Sequence, residues 1–202
     1  MLAEQATVPT AGSATSESIR LLRALRHLNQ LLPLKYRQAA LPAELRAVHR
    51  GILYSFAERG RPLTRAEIAA MLGSESAAVK ALTVLADKDL IVLNSAAGKD
   101  PATFEVVIHD PANVEIAGAY PFSAVPTKYV VHLMGHDVYA MCALDAMSIA
   151  AMFDTETHIT AKCIATGAPV HMHQRGNEIL SVEPATTRFG VRWQKGSATA
   201  AH

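Results

Sequence analysis

The tetrad Cys142-Ala143-Leu144-Asp145 sets a thiol and a carboxylate three positions apart. On a helix that spacing puts both groups on one face, about a turn apart. The flanks favour such a helix, because Val138-Tyr139-Ala140-Met141 alternates like the end of a strand and Ala143-Leu144-Asp145-Ala146-Met147 begins an apolar helical run. A thiol that opens a helix sits at the positive end of the helix dipole, which favours the thiolate, the form that attacks electrophiles and binds soft metals. The pair can therefore bind a soft centre and handle a proton beside it. Two plainer readings stand next to this one. Free cysteine is often a small buried hydrophobe, and Asp145 could cap a loop amide. Yet a carboxylate flanked by Leu144, Ala146, Met147 and Ile149 is costly unless paired or protonated. As a functional group it is an acid pushed up by desolvation and by a neighbouring thiolate, able to hold a proton and release it.

The second cysteine, Cys163, falls at the end of a predicted strand before a Gly-Pro turn, where its neighbours suggest packing. Cys142, Cys163, His171 and His173 are acceptable zinc ligands, but their spacing matches no finger or ribbon. A cysteine hydrolase would need a histidine on the thiol and an oxyanion hole, and His132, His136 and His158 qualify by abundance alone.

These residues must be positioned by a chain of 202 residues, 50% hydrophobic and 18% charged, which is ordinary globular composition. Lys and Arg total 19 against 18 for Asp and Glu, and that balance argues against charge-driven binding to nucleic acid or an anionic membrane. The apolar run from Tyr139 to Phe153 is broken by Asp145 and too short to span a bilayer. The first eighteen residues carry Glu4 and Glu17 with no apolar signal core. A soluble, cytoplasmic protein with two reduced thiols is expected.

Residues 1–17 read as a disordered leader, and 18–110 as a helical, winged-helix-like domain. The helical pattern runs through Ile19, Leu22, Leu25, Leu28 and Leu32 to Pro33, then over Leu41–Arg59, Thr64–Leu72 and Ser76–Asp89. Thr64 with Glu67 predicts a capping box, and Gly73 a helix end. Leu90–Leu93 and Thr103–Ile108 should be two strands about a Gly98-Lys99-Asp100 turn. The would-be recognition helix, Ser74 to Thr83, offers Lys80 and no Arg, Asn or Gln to read base edges, which weighs against DNA binding. Residues 111–202 read as an α+β domain, with strands over Thr127–Leu133, Asp137–Met141, Ile159–Cys163, Val170–His173 and Phe189–Trp193 and a helix over Ala143–Phe153.

Four blocks together resemble the organomercurial (alkylmercury) lyase family: Ala119-Tyr120-Pro121-Phe122-Ser123, Val138 to Ala146 with its Cys-Ala-Leu-Asp, Cys163-Ile164-Ala165-Thr166-Gly167-Ala168-Pro169-Val170, and Ser181-Val182-Glu183-Pro184-Ala185. The resemblance covers about residues 40–195. It implies an α+β fold in which a winged-helix-like module packs on a mixed-sheet catalytic domain, and a mercury-resistance activity, protonolysis of a carbon–mercury bond to a hydrocarbon and Hg(II). By the same resemblance Cys142 is the mercury-binding thiolate, Asp145 shuttles the proton and helps hold the metal, and Cys163 is structural. No organic cofactor is implied, and the Hg(II) product would pass to a mercuric reductase. The family also uses a second catalytic cysteine, which by its spacing would fall a few positions beyond His202. A partial chain is therefore expected, with a catalytic-sheet edge left open. The other readings are a non-catalytic soft-metal-binding protein of the same fold and a metal-sensing winged-helix regulator.

Overall fold

A computed structural model describes residues 34–189. The leader, the helix expected before Pro33 and most of the Phe189–Trp193 strand lie outside the described residues. Contacts divide the chain at Pro42, and of the first unit the described part is one short helix, α1 (Leu34–Ala39), not anticipated from the sequence.

The second unit, Ala43–His202, opens with α2 (Ala43–Arg59), α3 (Arg65–Leu72) and α4 (Glu75–Asp87). Val48, Ile52 and Phe56 recur one turn apart on α2 and are fully buried, as are Ala78, Leu82 and Leu85 on α4. The α3 start is the expected capping box: Thr64 accepts from the Glu67 amide while the Glu67 carboxylate accepts from the Thr64 amide at 2.7 Å. Gly73 ends the helix at φ 83°, a left-handed position where a side chain would be strained. Arg59 and Arg61 both reach Glu67, at 2.7 and 2.9 Å, and tie the end of α2 to that cap.

Among the described residues ten strands follow: β1 (Ile91–Leu93), β2 (Ala97–Lys99), β3 (Val106–Ile108), β4 (Ile116–Ala119), β5 (Phe122–Ser123), β6 (Val130–Leu133), β7 (His136–Ala140), β8 (Glu156–Lys162), β9 (Pro169–Arg175) and β10 (Glu178–Glu183). Eight form one sheet in the order β1-β4-β5-β7-β6-β8-β9-β10, and β2 pairs with β3. The fold is α+β, and among the described residues every pairing is antiparallel where a mixed sheet was expected. The strands flanking residues 98–100 also differ from expectation. Leu90–Leu93 does not pair with Thr103–Ile108; β1 joins β4, where Ile91 is buried opposite Ala119. Gly98 and Lys99 are extended, because Asp100 supplies the turn by accepting the Ala102 and Thr103 amides at 2.7 and 3.0 Å.

Helix α5 (Ala143–Phe153), with the bounds the sequence predicts, connects β7 to β8 and packs against β7, β8 and β9. An aromatic chain fixes it to the rest of the unit. Phe56 of α2 stacks on Phe122 of β5 at 5.1 Å, Phe122 meets Phe153 at 5.7 Å, and Tyr54 meets Phe153 edge-on at 5.6 Å. Among the described residues no single helix is long and apolar enough to cross a membrane.

Candidate functional site

Cys142 is the N-cap of α5. Its backbone is extended, at φ −146° and ψ 177°, and its Sγ accepts the Asp145 amide N–H at 3.4 Å, the bond that a serine, threonine, aspartate or asparagine oxygen makes when it caps a helix. The Cys142 carbonyl accepts the first helical bond, from Ala146, at 3.0 Å. Asp145 stands in the first turn, where the helix dipole favours a carboxylate. Its side chain interacts with both the Cys142 thiol and the Cys142 backbone N–H. The Cys-Ala-Leu-Asp tetrad is thus a capping arrangement with sulfur in place of a hydroxyl, and it brings thiol and carboxylate together.

Residues distant in sequence anchor this cap. The Met141 amide donates to the Pro121 carbonyl at 3.1 Å, and the Thr127 hydroxyl donates to the Ala140 carbonyl at 2.7 Å. Gly118 leaves the space that the Met141 side chain occupies; a Cβ there would overlap the Met141 methyl group and lie 2.9 Å from the Phe122 carbonyl. The block around Pro121 and the block around Cys142 therefore meet at the helix start. Periodicity gave no sign of Thr127 or Gly118 as positioning residues, since both act through a carbonyl or a space on another strand.

Cys142 is exposed at the helix start, and partial desolvation of its thiol by the surrounding chain pushes it up to about 11, with the Asp145 carboxylate adding to the shift. Amides of Asp145 and Leu144 pull the other way and lose. The thiolate expected from the helix terminus is therefore not the resting form. A helix terminus is worth about 0.3–1 kcal/mol, less than one pKa unit, and desolvation beside an acid outweighs it. Burial also raises Asp145, against the pull of its contacts with Cys142. The thiol proton of Cys142 therefore lies beside a carboxylate able to accept it.

Cys163 lies in the β8–β9 hairpin turn and is half-buried. Its amide donates to Ala168 at 2.8 Å, its carbonyl accepts from Gly167 at 2.9 Å, and the Thr166 hydroxyl holds its thiol below the usual range. These contacts all stay within its own turn. The four-ligand zinc set is not assembled, for His173 is grouped with Glu156 and His158 instead. A wide groove lined by Arg65, Glu75, Ser76, Lys80 and Pro111 includes neither Cys142 nor Asp145.

The alkylmercury lyase family model matches residues 122–202, a span that contains Cys142, Asp145 and Cys163. Over residues 122–202 the chain is similar to the alkylmercury lyases. Curated alkylmercury lyases align with this domain and its surroundings at modest identity. The Streptomyces lividans protein is 38% identical over 66 residues, 33% of this chain and 31% of that protein. The one from Staphylococcus epidermidis is 29% identical over 118 residues, 54% of this chain and 55% of that protein. The chain thus aligns with about a third to a half of these relatives' length. The mercury-bound crystal structure of MerB2 superimposes with a TM-score of 0.56 and 22% identity, covering 75% of this chain and 65% of that one, which shows a shared fold.

Proposed function

We propose that this chain is an organomercurial lyase in which Cys142 binds mercury and Asp145 moves the proton. The observation that carries the reading is the Cys142–Asp145 cap, a thiol and an acid in contact at one helix start, inside the segment matched to alkylmercury lyases. In the first step the thiol displaces the ligand X from R–Hg–X. The S–Hg bond forms, the Hg–X bond breaks, and the thiol proton passes to the Asp145 carboxylate. In the second, the Asp145 carboxylic acid protonates carbon as the Hg–C bond breaks. Its electron pair becomes the new C–H bond, R–H leaves, and Hg(II) stays on the Cys142 thiolate with the regenerated carboxylate beside it. Mercury is soft and thiolate its preferred ligand, so sulfur does the binding and oxygen the proton transfer. The Hg(II) product then passes to a thiol-bearing acceptor, such as a mercuric reductase. Both cysteines are free thiols, the state a reducing cytoplasm maintains.

Phenylmercury separates the roles. Cys142→Ser is expected to abolish mercury binding, and Asp145→Ala to keep binding while losing benzene release. Tight stoichiometric binding by the Cys142→Ser variant, or normal turnover by Asp145→Ala, would overturn the assignment. Binding by the unaltered chain without any benzene would identify a soft-metal-binding protein of the same fold.

A further inference from the structure

The outward face of β8 and β9 carries a second cluster of donor side chains that the mercury chemistry does not use. Along β8, Thr157 and Ile159 are buried, while Glu156, His158 and Thr160 alternate to the other side. Along β9, Met172 and Gln174 are buried, and Gln174 donates to the Met147 carbonyl of α5 at 2.9 Å. The buried face therefore meets α5, and the opposite face presents His158 and His173, which are direct cross-strand partners. Their rings stack at 4.2 Å between centroids, and Glu156 lies diagonally across with its Oε1 2.6 Å from His173 Nε2. One donor atom from each of Glu156, His158 and His173 lies within 4.8 Å of the other two.

We infer that Glu156, His158 and His173 form a binding site for a borderline divalent transition cation of the zinc class, on the face of the sheet opposite α5. Two imidazoles and one carboxylate suit Zn(II), Ni(II) or Cu(II) and leave positions open to water. Donors around a tetrahedral zinc lie about 3.3 Å apart, so modest side-chain rotation closes the cluster. The other groups on this face sort themselves away from it. His132, which pairs with His158 across β6, is held by Asp137 at 2.8 Å, and His171 lies 3.4 Å from the Thr160 hydroxyl. Arg175 binds Glu156 through Oε2, at 3.0 and 2.6 Å, which orients the carboxylate and leaves Oε1 for the metal. An incoming cation takes the place of the proton joining Nε2 to Oε1, and that proton leaves to solvent.

The test uses the full chain with both thiols replaced, Cys142→Ser with Cys163→Ser, so that sulfur cannot bind the probe. Calorimetric titration with ZnCl2 should show one site with a Kd of about 10 μM or tighter, and His158→Gln or His173→Gln should each weaken it at least tenfold. Co(II) bound to the thiol-free chain with its histidines intact should give a d–d absorption without sulfur charge transfer, and excess Zn(II) should displace it. Absence of Zn(II) binding at 1 mM, wild-type affinity in both histidine variants, or no displaceable Co(II) spectrum would overturn the inference.

Discussion

The protonation state of Cys142 is the property on which the reaction sequence turns, and it can be measured apart from any mercury chemistry. Replacing Cys163 with serine leaves Cys142 as the chain's single thiol. With its thiol pushed up to about 11 from an ordinary 9.0, the thiolate fraction at pH 8 falls by about a hundredfold. A more basic thiolate is the better nucleophile, and with a Brønsted coefficient of about 0.4–0.5 two units return a factor of about six to ten. The rate of reaction with a dipyridyl disulfide at pH 8 should therefore lie about tenfold below that of an unperturbed thiol. It should keep rising up to an inflection near 11. Adding Asp145→Asn removes the charge but not the desolvation, which is the larger cause, so the inflection should move down and stay above 9. The converse variant, Cys142→Ser, reports Cys163, whose thiol Thr166 holds low, and should react faster than an ordinary thiol at pH 8. A rate profile for Cys142 that levels off by pH 9 would refute the reasoning and restore the helix terminus as the dominant influence.

Three further outcomes follow from packing. Gly118→Val drives a side chain against the Phe122 carbonyl and the Met141 methyl, and should cost about 1–3 kcal/mol in urea denaturation; an unchanged midpoint would show that the cap does not depend on this space. Thr157 is fully buried with its Oγ1 unpartnered, so Thr157→Val should stabilise by about 1 kcal/mol and raise the Tm by about 2–4 °C; a lower Tm would mean the hydroxyl is satisfied. Burial lowers the pKa of His49, which makes its neutral form the folded one. Its stabilisation is present above 6.5 and lost as pH falls below it, so the drop in Tm between pH 7 and pH 5 should shrink in His49→Gln, and an equal drop would refute the assignment.

What the sequence showed depended on how local the determinants are. The capping box at Thr64 and Glu67, the stop at Gly73 and the start of α5 at Cys142 are written within a few residues, and the helices fall where those signals put them. Strands β2, β4, β5 and β10 were missed. Ile116-Ala117-Gly118-Ala119 has no polar alternation because Gly118 and Ala119 are there for clearance and burial, and β5 is two residues long. Ile179 and Leu180 are adjacent rather than alternating, and both are exposed, so β10 offered no apolar face to read. The dipole argument for a Cys142 thiolate needs only the helix, whereas the upward shift of the thiol adds desolvation and the Asp145 carboxylate, which the dipole argument leaves out.

The register of β8 against β9 links the two halves of this unit's chemistry. Thr157 faces Gln174 and Ile159 faces Met172 on the side that seats α5, and His158 faces His173 on the other. Because side chains alternate with a period of two, a slip of one residue would exchange the faces, setting histidines against α5 and exposing Ile159. The apolar contacts under α5 therefore hold the register that aligns the two imidazoles, while the same contacts hold the helix whose first residue is Cys142. Sequence spacing alone could place Cys142 beside Asp145, since one helical turn suffices. Placing Glu156 beside His173 required the pairing of two strands, which no local signal specifies.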